Sequence, residues 1–79
     1  MNNDVYLVKD LYEAALLYSL DKKFLGLRQE GTFYWFQFED KAGCERIAND
    51  YWGKRVNVNA KIYAEAVRTL KDRLFARSQ

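Results

Sequence analysis

The side chains that could perform chemistry are few in this sequence. It contains no histidine, so the commonest proton-transfer group and the commonest metal ligand are both missing. The one cysteine, Cys44, has no histidine to activate it and cannot form an internal disulfide or a thiolate zinc site. We therefore expect no catalytic residue, no metal, no cofactor and no small-molecule substrate, and we interpret the chain as not an enzyme.

Two carboxylate pairs could also support acid–base chemistry, namely Asp10 with Glu13 and Glu39 with Asp40. Each pair coincides with a predicted helix start, where an aspartate caps the first turn; in the first pair, Glu13 lies three residues after Asp10 and can return a hydrogen bond. Capping explains both pairs. The glycines form no loop that could cradle a phosphate.

The strongest pattern is the stretch TFYWFQF, which holds five aromatic side chains in seven positions. Alternation along a strand places Phe33 and Trp35 on one face and Tyr34, Phe36 and Phe38 on the other. Both faces of this strand are therefore apolar. One face can form the core of a small domain, and the second apolar face must be buried by other parts of the chain or by a partner.

This aromatic strand is the second half of a predicted hairpin. The run from Phe24 to Gln29 and the run from Thr32 to Phe38 are separated by Glu30-Gly31, a pattern typical of a tight turn. We favour a three-residue loop, Gln29-Glu30-Gly31, because a two-residue loop would force Glu30 to a positive φ.

The loop length decides which aromatic side chain points outward. A three-residue loop places Tyr34 over Gly26, whereas a two-residue loop shifts the pairing and places Trp35 there. Arg28 lies beside aromatic side chains in both registers. With the three-residue loop, one face would hold Leu25, Leu27, Phe33 and Trp35.

The charge of the chain is unevenly distributed, although the net charge is only +2. Residues 1–40 carry 4 basic and 7 acidic side chains, a net charge of −3, and residues 41–79 carry 9 basic and 4 acidic, a net charge of +5. In the basic half, Lys54 and Arg55 follow the second predicted helix and could contact phosphates.

The remaining patterns predict a single α+β domain over residues 1–79, in the order β-α-β-β-α-(β)-α. We expect a small, mainly antiparallel three-stranded sheet with three helices. Asp10, Asp40 and Asn59 are the expected helix caps. The predicted segments are a strand at Val5–Val8, helices from Asp10, over Lys41–Trp52 and over Ala60–Ala76, and a brief extended run at Val56–Asn59.

Several short motifs along the chain resemble the landmarks of a small uncharacterised domain-of-unknown-function family found in bacteria, phages and mobile elements. They are Lys9-Asp10-Leu11-Tyr12 with Ala15, Phe36-Gln37-Phe38-Glu39-Asp40, and Val58-Asn59-Ala60 with Leu70-Lys71. The resemblance covers nearly the whole chain. It implies a phage-like or mobile-element setting, and the family offers no agreed activity or site to transfer.

We expect a cytoplasmic, soluble protein. The sequence shows no basic region followed by an apolar run, and no segment approaches the roughly 20 apolar residues that span a bilayer, so no membrane partner is predicted. A lone cysteine is typical of a reducing compartment.

Two functional hypotheses follow. The first is a non-catalytic small interaction module that self-associates as a homodimer or binds another protein; its candidate partner-binding residues are Arg28, Tyr34, Trp35 and Phe75. The alternative is a single-stranded nucleic-acid-binding domain that stacks bases on its aromatic sheet face; its candidate residues are Arg28, Tyr34, Trp35, Lys54 and Arg55.

Overall fold

A computed structural model of the protein describes residues 4–77. It confirms the α+β class and the predicted order of elements. The brief extended run expected at residues 56–59 forms no strand and connects two helices. The elements are β1 (Val5–Val8), α1 (Leu11–Ser19), β2 (Phe24–Glu30), β3 (Phe33–Glu39), α2 (Lys41–Trp52) and α3 (Ala60–Arg77).

The three strands form an antiparallel sheet in the order β1-β3-β2, so the aromatic strand β3 is central. On one side of β3, Val5 lies opposite Glu39 and Val8 lies opposite Phe36. A central strand packs against a neighbour on each edge and is the most enclosed of the three. This position explains why Phe36 is buried.

The hairpin has a two-residue loop, Gly31-Thr32, so both registers expected from the sequence are wrong. Glu30 lies opposite Phe33, and Arg28 lies opposite Trp35. Gly31 has a φ of +62° at the first loop position, where hairpin turns of this length favour glycine. Glu30 therefore stays in the strand, and no other residue type has to adopt the left-handed conformation in the loop.

A β-bulge in β2 produces the second departure from the expected pairing. The register shifts between Phe24 and Gly26, and Gly26 has a φ of +124° that few other residues adopt. Phe24 and Leu27 therefore both pack on the core, while Leu25 is 41% exposed. The expectation that Leu25 and Leu27 share a face is wrong for this reason.

All three helices pack on the same face of the sheet. Helix α1 occupies the middle of this layer, and the Tyr63 hydroxyl of α3 donates to the backbone carbonyl of Tyr12 in α1 at 3.1 Å. Among residues 4–77, no helix packs on the other face of the sheet. The buried cluster between sheet and helices contains Val8, Ala14, Ala15, Leu17, Phe36, Phe38, Cys44, Ala66 and Leu70.

The predicted caps are present at all three helix starts. The Asp10 carboxylate accepts a hydrogen bond from the backbone N–H of Tyr12 at 2.8 Å. The Asn59 side-chain oxygen accepts one from the backbone N–H of Lys61 at 2.9 Å. Asp40 caps α2 and also accepts from the Lys22 ammonium at 2.6 Å, a hydrogen bond that lowers the pKa of Asp40.

Glu13 has a different role from the one that the capping pattern predicts. Its side chain is 5% exposed, and its carboxylate accepts a hydrogen bond from the Tyr6 hydroxyl at 2.7 Å. Burial, and then this hydrogen bond, raise the pKa of Tyr6 well above its ordinary value. The pair joins β1 to α1 inside the fold.

We predict that Asp10→Ala and Asn59→Ala each lower the free energy of unfolding by about 1 kcal/mol, because each removes acceptors for the first turn of a helix. Asn49→Ala is the matched control, since Asn49 is exposed within α2 and caps nothing. Urea unfolding followed by circular dichroism measures the change. Midpoints equal to that of the unmodified protein would contradict the capping roles.

We predict that Tyr6→Phe lowers the free energy of unfolding by about 1–3 kcal/mol, because it leaves a buried carboxylate without its donor. Tyr12→Phe is the control, since Tyr12 is 52% exposed. The raised pKa of Tyr6 means that this stabilisation is complete below the ordinary tyrosine pKa of 10.0 and is lost as the pH rises above it. The difference in free energy of unfolding between the unmodified protein and Tyr6→Phe should therefore narrow when urea unfolding is repeated at alkaline pH. A difference that stays constant with pH would refute the role of the Tyr6–Glu13 hydrogen bond.

Candidate interaction surface on the open sheet face

The sheet face that points away from the helices carries side chains from all three strands, and we call it the open face. Its members alternate along each strand with the buried side chains of the core. The open face consists of Val5, Leu7 and Lys9 from the first strand and its end, Gly26, Arg28 and Glu30 from β2, and Phe33, Trp35, Gln37 and Glu39 from β3.

Trp35 lies on the central strand of the open face, between two cationic residues. The Lys9 ammonium lies 5.4 Å from the Trp35 ring centroid and 4.5 Å from that of Phe33. Arg28 lies directly opposite Trp35 on β2. Ammonium groups at this distance from a ring are attracted by its π electrons. The face therefore presents a row of Lys9, Trp35 and Arg28 across the sheet.

The conformation of Trp35 is fixed by its neighbours. Its indole N–H donates to the Glu30 carboxylate, and Phe33 packs edge-on against it with 5.7 Å between ring centroids. Both contacts come from the hairpin that carries Trp35. The Trp35 ring is thus held in one orientation and is half-buried, whereas Phe33 is 38% exposed.

The open face carries both signs of charge. Lys9 and Arg28 are near the hairpin loop, with Glu30 beside them opposite Phe33. Glu39 lies at the other end of β3, opposite Val5. Two cations and two carboxylates on one surface make it a mixed surface and not a uniformly basic patch.

The structure separates the predicted partner-binding residues into two pairs. Arg28 and Trp35 lie together on the open face, whereas Tyr34 and Phe75 lie on the helix side. Tyr34 donates from its hydroxyl to the backbone carbonyl of Arg77 at 3.3 Å. A surface cleft of about 470 Å³ is lined by Tyr34, Lys71, Asp72, Leu74 and Phe75.

The predicted nucleic-acid-binding residues do not form one surface either. Lys54 and Arg55 follow α2 in the helix layer, away from the open face. The Arg55 guanidinium is paired with the Asp50 carboxylate at 3.3 Å. Only Arg28 and Trp35 of the predicted set share the open face.

Lys9 is the open-face residue that sequence reasoning missed. It follows β1 in the alternating series Val5, Leu7 and Lys9, so its face could have been inferred from the period of two. The contact between Lys9 and Trp35 could not have been inferred, because it depends on the pairing of β1 with β3, which the sequence does not specify.

Cys44 is buried, and its thiol lies 3.3 Å from the backbone carbonyl of Glu39. Burial raises the pKa of Cys44 to about 11. A thiol with this pKa is almost entirely protonated at neutral pH and is a poor nucleophile.

Within residues 4–77 no group of three or more cysteines and carboxylates is placed to hold a metal ion. No helix in the same range is both long enough and apolar enough to cross a bilayer. Comparisons of the chain with protein-family models, with curated proteins and with solved structures found no match.

We predict that Cys44 reacts slowly with a bulky thiol reagent at neutral pH, because labelling requires the fold to open and the thiol to ionise. The control is the double variant Thr32→Cys with Cys44→Ala, which carries its only thiol in the exposed hairpin loop. Labelling followed by mass spectrometry should be at least tenfold slower for the unmodified protein. Equal rates would show that Cys44 is accessible.

Proposed function

We propose that the protein is a non-catalytic interaction module that binds a protein partner through its open face. The observation that carries this proposal is the placement of all three helices on one side of the sheet, which leaves Phe33 exposed and Trp35 half-buried on the other. Tryptophan and arginine are the residue types that most often dominate binding energy at interfaces. Trp35 and Arg28 are neighbours here.

The shape of the molecule and the fixed orientation of Trp35 support this proposal. The molecule measures 35 by 33 by 18 Å, and its short dimension fits the thickness of one sheet and one helix layer. Because Glu30 and Phe33 already fix the orientation of Trp35, binding requires little further ordering of that side chain.

Binding of single-stranded nucleic acid is the second candidate function. The row of Lys9, Trp35 and Arg28 favours it, because a base can stack on an indole while flanking cations contact phosphates. Glu30 and Glu39 on the same face oppose it by repelling phosphates. The mixed charge of the open face therefore favours a protein partner.

The cellular location and the family resemblance of the protein are predictions from its sequence. A cytoplasmic location and the resemblance to a bacterial and phage domain family are consistent with an interaction module. The absence of catalysis is also part of the proposal; it is supported by the burial of Cys44, the one thiol of the chain.

We predict that peptides selected from a random display library on the immobilised protein bind the open face. Trp35→Ser should weaken them at least tenfold, and Trp52→Ser should not, since Trp52 is 65% exposed on α2 in the helix layer. Fluorescence anisotropy with labelled peptides measures both variants, and circular dichroism confirms that each is folded. Peptides that depend on Trp52 and not on Trp35 would refute the proposal.

The same assay with a labelled single-stranded oligonucleotide tests the second candidate. A protein-binding module should show no oligonucleotide binding at physiological salt. Binding that is lost in Trp35→Ser and falls steeply as salt rises would instead establish the nucleic-acid function.

A further inference from the structure

We infer that the cleft beside α3 binds a small carboxylic acid with an apolar body, whose carboxylate lies at Lys71. The cleft is lined by Tyr34, Lys71, Asp72, Leu74 and Phe75. This inference goes beyond the proposed function and does not rest on it, because the cleft lies on the helix side of the sheet. The ligand is bound and not transformed, which agrees with a non-catalytic module.

The cleft has the size and the lining of a small-molecule site. Its volume is about 470 Å³, and ligand pockets typically measure roughly 300–1,000 Å³. The ring of Tyr34 and the side chains of Leu74 and Phe75 form its apolar part. Phe75 is 67% exposed. A ligand with an apolar body therefore gains affinity by removing this phenyl ring from water.

A second cleft, of about 350 Å³, adjoins the first along the same helix. It is lined by Ala64, Val67, Arg68, Lys71 and Asp72. Lys71 and Asp72 line both clefts, so they lie where the two clefts meet. The two clefts form one groove along α3, with the apolar part beside Phe75 at one end and charged side chains in the middle.

The charged part of this groove suits one negative charge. Arg68 and Lys71 supply two cations and Asp72 one carboxylate, which leaves a net charge of +1. Within residues 4–77 neither cation forms an ion pair with Asp72, so both can bind a ligand carboxylate. Asp72 would repel a second negative charge. The groove therefore favours a monocarboxylate over a dianion or an uncharged molecule.

The wall of the cleft that comes from the sheet is already fixed. The Tyr34 hydroxyl donates to the Arg77 carbonyl at 3.3 Å, and the Arg77 guanidinium lies 5.9 Å from the Tyr34 ring centroid. The ligand packs mainly against Leu74 and Phe75, so that this tie between β3 and α3 is kept. Binding then requires little reordering of the Tyr34 side chain.

The test uses anilinonaphthalene sulfonate, an apolar dye with one negative charge whose fluorescence rises in apolar surroundings. It should bind the unmodified protein saturably. Phe75→Ser should weaken binding at least tenfold, and Lys71→Glu at least fivefold. Ile62→Ser and Lys61→Glu are the matched controls, since both residues are exposed on α3 and line neither cleft of the groove. Both controls should bind the dye as the unmodified protein does.

Competition identifies the class of ligand. Decanoate, used below the concentration at which it forms micelles, should displace the dye from the unmodified protein. Decanol has the same chain length without the charge, and it should displace at least tenfold less dye at equal concentration. Decanol that competes as well as decanoate would overturn the inference, because the cations would then contribute nothing to binding.

The remaining outcomes separate the cleft from the open face. Dye binding that is lost in Trp35→Ser and kept in Phe75→Ser overturns the inference, since the dye then lies on the open face. Absence of saturable binding also overturns it, and the proposed function still stands if displayed peptides require Trp35. Circular dichroism confirms that each variant is folded. The Lys71→Glu variant and the decanol comparison test the inference without Phe75→Ser.

Discussion

The enclosure of α1 is the constraint on which the rest of the structure depends. The five consecutive residues from Glu13 to Leu17 are all buried, and five residues exceed one helical turn, so α1 is covered on every side at that level. One side faces the sheet, and the others require α2 and α3. Both of those helices therefore share one face of the sheet with α1, and within the described residues no element remains to cover the other face.

This arrangement explains how the aromatic strand is divided. Phe36 and Phe38 are buried against the helices, whereas Phe33 and Trp35 remain on the open face. Exposed aromatic surface is unfavourable by about 25 cal/mol per Å². Lys9 partly covers both rings while its ammonium stays in water. A flexible side chain of this kind can move aside when a partner supplies a larger apolar surface.

Much of the fold could be predicted from the sequence, because its signals are local. The caps at Asp10 and Asn59 and the full extent of α2 follow from residue types within one turn. The hairpin register could not be predicted, since Gly31 enters the loop with Thr32 and a bulge at Gly26 shifts the pairing again. The covered face could not be predicted either, because both faces of β3 are apolar and the enclosure of α1 decides between them.

The open face and the cleft beside α3 differ in what a partner must displace. At the cleft beside α3, the Tyr34 hydroxyl already donates to the Arg77 carbonyl, and the Arg77 guanidinium lies 5.9 Å from the Tyr34 ring centroid. A ligand that stacked on Tyr34 would have to replace contacts that tie β3 to the end of α3. On the open face, a partner that stacked on Trp35 would displace the Lys9 side chain, whose ammonium can then bind a carboxylate of the partner. Of these two surfaces, the open face is therefore the one where binding disturbs the fold less.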